Sequence, residues 1–216
     1  MSVETVIAVV TGGASGIGRA SALALGASGA KIAVADKNAA GAEDVAERIQ
    51  AVSGKAIAVE VDVSSSASVD RMVERVLAAF GRIDVLVHCA GICPRQDVLD
   101  MDDASWRAVL GTNLDGTFYV ARAVGRVMTA RKSGTMILLT SDRGVYGSAD
   151  YAHYAASKGG MIALTKSLAL ALGKHGVTVN GLNPGFTDTP LARAAFTEED
   201  WQKRRQHDPL GRNSEP

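Results

Sequence analysis

Tyr154 and Lys158 stand four residues apart in Tyr154-Ala155-Ala156-Ser157-Lys158, and on a helix that spacing stacks a phenol and an ammonium on one face. A phenol beside a cation suits proton exchange with an oxygen whose carbon gains or loses a hydride. Neither Tyr146 nor Tyr151 has a lysine four residues on. An isolated tyrosine, with a pKa near 10, is a poor base at neutral pH. Lowering it by about three units takes roughly 4 kcal/mol, and a cation about 5 Å away at an effective dielectric near 20 supplies roughly 3 kcal/mol before desolvation opposes it. Ser141, 13 residues before Tyr154 and directly after a predicted strand, offers a hydroxyl to hold the substrate oxygen, while Thr140 should point the other way. Asn113 falls inside a predicted helix, an odd place for a residue that prefers caps and turns. From the residue alone it reads as a core amide bonded to backbone.

A second constellation lies near the start of the chain. In Thr11-Gly12-Gly13-Ala14-Ser15-Gly16-Ile17-Gly18 a predicted strand turns into a predicted helix, and the missing side chains let backbone approach a pyrophosphate at the positive end of the helix dipole. Asp36 ends the second predicted strand 18 residues after Gly18, where a carboxylate accepts hydrogen bonds from adenosine ribose hydroxyls. A 2'-phosphate would meet that carboxylate head on, so NAD is favoured over NADP, although the neighbouring Lys37 softens the rejection.

These residues need a scaffold, and the hydrophobic pattern supplies one. Short, β-branched runs at 6–11, 31–35, 56–61, 84–88, 134–140 and 176–182 do not alternate cleanly, as expected of strands covered on both faces. Between them, helical periodicity covers 18–27, 39–52, 66–80, 103–128 and 153–172. The alternation predicts one α/β domain over residues 1–216, a doubly wound parallel sheet of Rossmann type in strand order 3-2-1-4-5-6.

Taken in order over positions 11–189, the TGxxxGxG turn, Asp62-Val63, Cys89-Ala90-Gly91, Asn113, Ser141, the Tyr154/Lys158 pair and Asn183-Pro184-Gly185-Phe186-Thr187-Asp188-Thr189 resemble the short-chain dehydrogenase/reductase family. The resemblance implies an NAD(P)-binding oxidoreductase that interconverts a secondary alcohol and a ketone through Tyr154, Lys158, Ser141 and Asn113. Lys158 would also hold the nicotinamide ribose, and Asn113 would organise a water between Lys158 and solvent. It assigns cofactor contacts to Gly12, Ser15, Gly16, Ile17, Gly18, Asp62, Val63, Ala90, Gly91, Pro184, Gly185, Thr187 and Thr189, with Tyr154 and Lys158. Ser15 occupies the place where NADP-using relatives often carry a basic residue. Cys89 replaces the family's usual asparagine, and a thiol cannot replace the amide's donor and acceptor. The alternatives are a 3-oxoacyl-carrier-protein reductase using NADPH and a dinucleotide-binding scaffold without turnover.

Composition narrows the partners. Twenty-three basic residues balance 23 acidic ones, so no summed field favours nucleic acid or an anionic membrane. Lys203-Arg204-Arg205 reads as a solvated helix face. Cys89, Cys93 and the four histidines show no metal-ligand spacing, so no metal is expected. No apolar run approaches the roughly 20 residues that span a bilayer, and Met1-Ser2-Val3-Glu4 lacks the flank of a signal peptide. A cytoplasmic protein with a small-molecule alcohol or ketone substrate is expected, as a homo-oligomer, dimer or tetramer. Substrate contacts should come from 93–96, 142–149 and 190–210, with Phe186, Leu191, Phe196 and Trp201 in a lid over about 186–210 carried by one helix at 191–206. The Pro209-Leu210-Gly211-Arg212 ending resembles the opening of a further helix and a seventh strand in the family, so the domain is expected to be incomplete, with 176–182 as an edge strand exposing Val177 and Val179.

Overall fold

A computed structural model describes residues 6–52 and 54–216. The signal-peptide reading of residues 1–4 lies outside them. Six strands, β1 (Ile7–Thr11), β2 (Lys31–Asp36), β3 (Lys55–Glu60), β4 (Val85–His88), β5 (Gly134–Leu139) and β6 (Val177–Leu182), form one parallel sheet in order β3-β2-β1-β4-β5-β6. Both faces are covered, which explains the absence of alternation. On β1, Ala8 and Val10 enter one buried cluster with Ala22, Val45 and Ile49 of the helices on one side, while Val9 enters the other with Val69, Met72 and Val124.

The helices α1 (Gly16–Ala27), α2 (Ala39–Ala51) and α3 (Ser66–Phe80) link the first four strands. Their starts are fixed locally, since Asn38 and Ser65 accept hydrogen bonds from the Gly41 and Ser68 amides, capping donors that the helix itself leaves free. The chain winds from β1 outward to β3, then returns to place β4 against β1, with Thr11 level with both Ala35 and His88. The carboxyl ends of β1 and β4 therefore border the crevice where strand order reverses, the usual binding place in such sheets. Cys89 does not disturb this order, and its amide continues the ladder to the Thr11 carbonyl at 3.1 Å.

Three expectations need correction. The helix foreseen at 103–128 is α4 (Asp103–Leu110), one π turn (Gly111–Asp115) and α5 (Gly116–Arg131); the wider turn carries Asn113 wholly inside, as π turns often do at functional positions. After α6 (Arg143–Tyr146), a 3-10 turn (Ala149–Tyr151) and α7 (Ala152–Gly173), the lid has two short helices, α8 (Pro190–Ala195) and α9 (Glu198–His207), in place of one. Thr197 begins α9 with a capping box, its hydroxyl and amide exchanging bonds with Asp200. Finally, among the described residues β6 borders only β5, yet Val177 and Val179 are buried. Strand side chains point to the faces of a sheet, and these two join the buried cluster against which Leu168, Ala169 and Leu172 of α7 pack. The final residues turn back, pairing Ser214 with Thr187 beneath the lid.

Candidate active site

The glycine-rich turn is a cradle that side chains would fill. Gly12 has φ +66°, and a Cβ there would lie 2.7 Å from the Ala90 amide nitrogen; one on Gly18 would lie 2.1 Å from the Gly12 carbonyl oxygen. Ser15, the N-cap of α1, makes no side-chain capping bond, so amide donors of the first turn face the cleft without a protein acceptor from it. A cleft of about 860 Å³ opens there, walled by Gly12, Ser15, Gly16, Ile17, Gly18, Asp36, Asp62, Val63, Ala90, Gly91, Tyr154, Lys158, Pro184 and Thr189, and by Arg107 and Thr112 from α4 and the π turn. Its volume falls in the ordinary range for cofactor sites. Asp36 accepts from the Ala14 amide at 3.0 Å and the Asn38 amide at 2.9 Å. A carboxylate has about four acceptor positions, so two remain for a ribose. Lys37 is tied to Asp62 at 3.0 Å, which draws its charge toward the third strand. The residues present thus fit a dinucleotide.

Beside this cleft lies a smaller cavity of about 130 Å³. Ser141 and Tyr154 border it with Cys93, Asp142, Arg143, Gly185, Phe186, Thr187, Phe196 and Arg204. Gly185 and Thr187 therefore face this chamber, whereas Pro184 and Thr189 border both. Tyr154 also borders both. Two of the segments expected to touch substrate reach it only in part: Gln96 bonds the Asp150 and Asp100 carbonyls, and Val145 and Tyr146 point to solvent. Arg204, read from sequence as part of a solvated face, turns inward over the Phe186 ring at 4.5 Å.

The polar groups between the chambers are held in place. Lys158 is buried, its Nζ 5.6 Å from the Tyr154 ring centroid, and donates to the Leu139 carbonyl at 2.5 Å. Asn113 accepts from the Ile92 amide at 2.8 Å and donates to the Ile92 carbonyl and to Ser157 Oγ. Ser157 in turn donates to the Tyr154 carbonyl at 2.8 Å. Both amide protons of Asn113 are thereby engaged, pinning the segment after β4 to α7. The Ser141 hydroxyl donates to Asp142 at 3.1 Å.

Burial overrides the sequence-based charge balance. It pushes the Tyr154 phenol up to about 12, with Cys93 adding to the rise and a hydrogen bond with Ser141 opposing it. It also pulls Lys158 down to about 8. Desolvation disfavours both charged forms, and for Tyr154 the Ser141 hydrogen bond and the Arg143 charge do not outweigh it. In the protein alone, Tyr154 is a protonated acid. His88, on β4 beneath the cleft, is pushed down to about 3 by burial, with Lys158 adding to the effect.

A model of the short-chain dehydrogenase family matches residues 6–200. The chain is 42% identical over 186 residues to a 3-oxoacyl-[acyl-carrier-protein] reductase of Synechocystis, covering 86% of this chain and 75% of the relative. It is 36% identical over 214 residues to an L-rhamnose 1-dehydrogenase (NAD(P)(+)) of Azotobacter vinelandii, covering 96% and 84%. The solved structure titled "Crystal structure of gox2181" superposes with a TM-score of 0.94 at 33% identity, covering 99% of this chain and 85% of that one. The chain is thus a member of the short-chain dehydrogenase family, a Rossmann-fold oxidoreductase that uses NAD(P).

Proposed function

We propose that this protein transfers a hydride between NAD(H) and a small secondary alcohol or ketone, with Tyr154 as proton donor or acceptor. The observation that carries the reading is the position of Tyr154, which borders both the large cleft and the small cavity, so that one phenol meets the substrate oxygen where a cofactor and a substrate adjoin. The bound nicotinamide supplies or accepts the hydride, and its oxidised ring adds the positive charge that favours phenolate. Ser141 holds the substrate oxygen; Lys158 steadies the phenol and reaches the cleft; Asn113 keeps the two walls in register. In the reducing direction the protonated Tyr154 donates directly to the forming alkoxide. Gly12, Gly16 and Gly18 would receive the pyrophosphate, Asp36 the adenosine ribose, and Asp62-Val63 the adenine, with Gly185 and Thr187 at the nicotinamide.

NAD is preferred in this reading because Asp36 keeps free acceptor capacity at the ribose while Lys37 is held by Asp62. The assignment includes a homo-oligomer, supported by Trp106 and Phe118 exposed on α4 and α5, and a cytoplasmic location. A panel of secondary alcohols and ketones, followed by NADH absorbance with NADPH in parallel, tests the activity. No turnover with either cofactor sinks it. A second reading, a reductase of 3-oxoacyl thioesters using NADPH, is favoured by the Synechocystis relative; higher kcat/KM for such a thioester with NADPH would select it.

A further inference from the structure

Four arginines surround the aromatic cluster of the lid, and they divide into two kinds. Arg193 lies over the Trp201 ring at 4.4 Å and forks onto the Asp188 carboxylate. Arg95 is held by Asp150 at 2.6 Å and Asp200 at 3.3 Å. These outer guanidiniums have their counter-charges. Arg143 and Arg204 instead border the small cavity, and among the described residues neither forms an ion pair. Among the described residues, the side-chain hydrogen bond of Arg143 goes to the neutral hydroxyl of Ser148 at 2.5 Å.

Both inner arginines are stacked rather than paired. Arg143 lies 4.3 Å from the Tyr151 centroid and 5.0 Å from that of Phe196; Arg204 lies 4.5 Å from Phe186 and 5.3 Å from Phe196. A ring that occupies the flat face of a guanidinium leaves its in-plane N–H edge available, and that edge matches a carboxylate. Two like charges share one aromatic platform, and burial together with the repulsion from Arg143 draws Arg204 below the usual arginine value. Asp142 borders the same cavity and attracts Arg204, but one of its oxygens receives the Ser141 hydroxyl. The walls therefore carry two guanidiniums against one carboxylate, an imbalance that an anionic ligand group corrects.

We propose that Arg143 and Arg204 recognise a carboxylate on the substrate, making it a small hydroxy acid or oxo acid whose reacting carbon lies at Ser141 and Tyr154. The proposal rests on the oxidoreductase reading above. The cavity of about 130 Å³ is close to one that admits a single six-membered ring.

The test compares hydroxybutanoates and hydroxycyclohexanecarboxylates with their uncharged carboxamides, using NAD. Wild type should prefer each productive acid at least tenfold in kcat/KM, chiefly through KM. Arg204→Met, which keeps length and apolar stacking volume, should bring the acid-to-amide ratio near one, and Arg143→Gln should lower it. Arg193→Met, whose guanidinium already has its partner, should keep it. Equal use of acid and amide by wild type overturns the proposal, as does a ratio that survives both inner variants or collapses equally in Arg193→Met. Quenching of Trp201 fluorescence by cyclohexanecarboxylate provides a readout independent of turnover. Saturable quenching that is lost in Arg204→Met, in a protein that turns over no alcohol, would retain the carboxylate site while rejecting the oxidoreductase reading; no quenching together with no acid preference would reject the site alone. Should Arg204→Met fail to fold, the wild-type panel and Arg143→Gln decide.

Discussion

The sheet-borne side of the site and the lid solve opposite problems. At the carboxyl edge of β4 and β5, Lys158, Asn113 and His88 are buried among fixed hydrogen bonds, and desolvation shifts Lys158 and His88 from their ordinary pKa values. In the lid, α8 and α9 are short, and Arg193 and Arg204 lie on aromatic faces, Arg193 pairing also with Asp188 at the surface. The first group is buried and held by hydrogen bonds, where a small change of charge has a large effect. The second sits on short helices, a layer that can repack at lower cost.

The largest test of this contrast concerns His88. Its folded pKa, about 3, lies below the unfolded value near 6.5, so the unfolded chain takes up the proton first. The stability present above pH 6.5 is therefore lost as pH falls toward 3, on the order of 5 kcal/mol over the full interval at about 1.36 kcal/mol per unit. Urea unfolding at pH 7 and 4.5 should show a loss of about 2.7 kcal/mol from this group, and His88→Asn should flatten that slope. An unchanged slope would mean that the buried ring does not carry the acid sensitivity.

Next in size is the proton itself. Tyr154→Phe should lower turnover at least about 100-fold, the usual share of a general acid or base, while NADH still binds by fluorescence titration; near wild-type rates would remove Tyr154 from the mechanism.

Asp36→Ala, at the far end of the same cleft, should narrow the preference for NAD over NADP by at least about tenfold, roughly the worth of a single hydrogen bond to a charged group. Parallel kcat/KM measurements decide, and a wild type that prefers NADP contradicts the ribose assignment.

The smallest effect belongs to the lid. Thr197→Ala removes the α9 capping box, about 1 kcal/mol, and should raise substrate KM about fivefold with cofactor affinity intact. A matching loss of NADH binding would show that the lid and the cleft are one unit.

The cleft was legible because its requirements are local. A glycine turn, a carboxylate at a strand end and a phenol four residues from a lysine are each set by spacing along one or two elements; the apolar runs marked the strands, and their alternation with helices made the doubly wound order the natural expectation. The capping box that divides the lid was also present in Thr197-Glu198-Glu199-Asp200, since a threonine followed three residues later by an acid is a helix-start signal; helical periodicity on either side concealed it. The inward turn of Arg204 had no such signal, because adjacent Lys203 and Arg205 are of the same type and only the packing of α9 on Phe186 and Phe196 distinguishes them.

The amino-acid sequence by itself determined the alternating fold, the glycine-rich turn at its first crossover and the spacing of Tyr154 and Lys158, since backbone freedom, periodicity and residue type act over short distances. Only the tertiary structure decided their electrostatic state. Whether Tyr154 lies near 7 or near 12, and whether an arginine is solvated or faces a cavity without a counter-ion, depends on how much water the surrounding elements exclude, and exclusion is a property of the assembled layers.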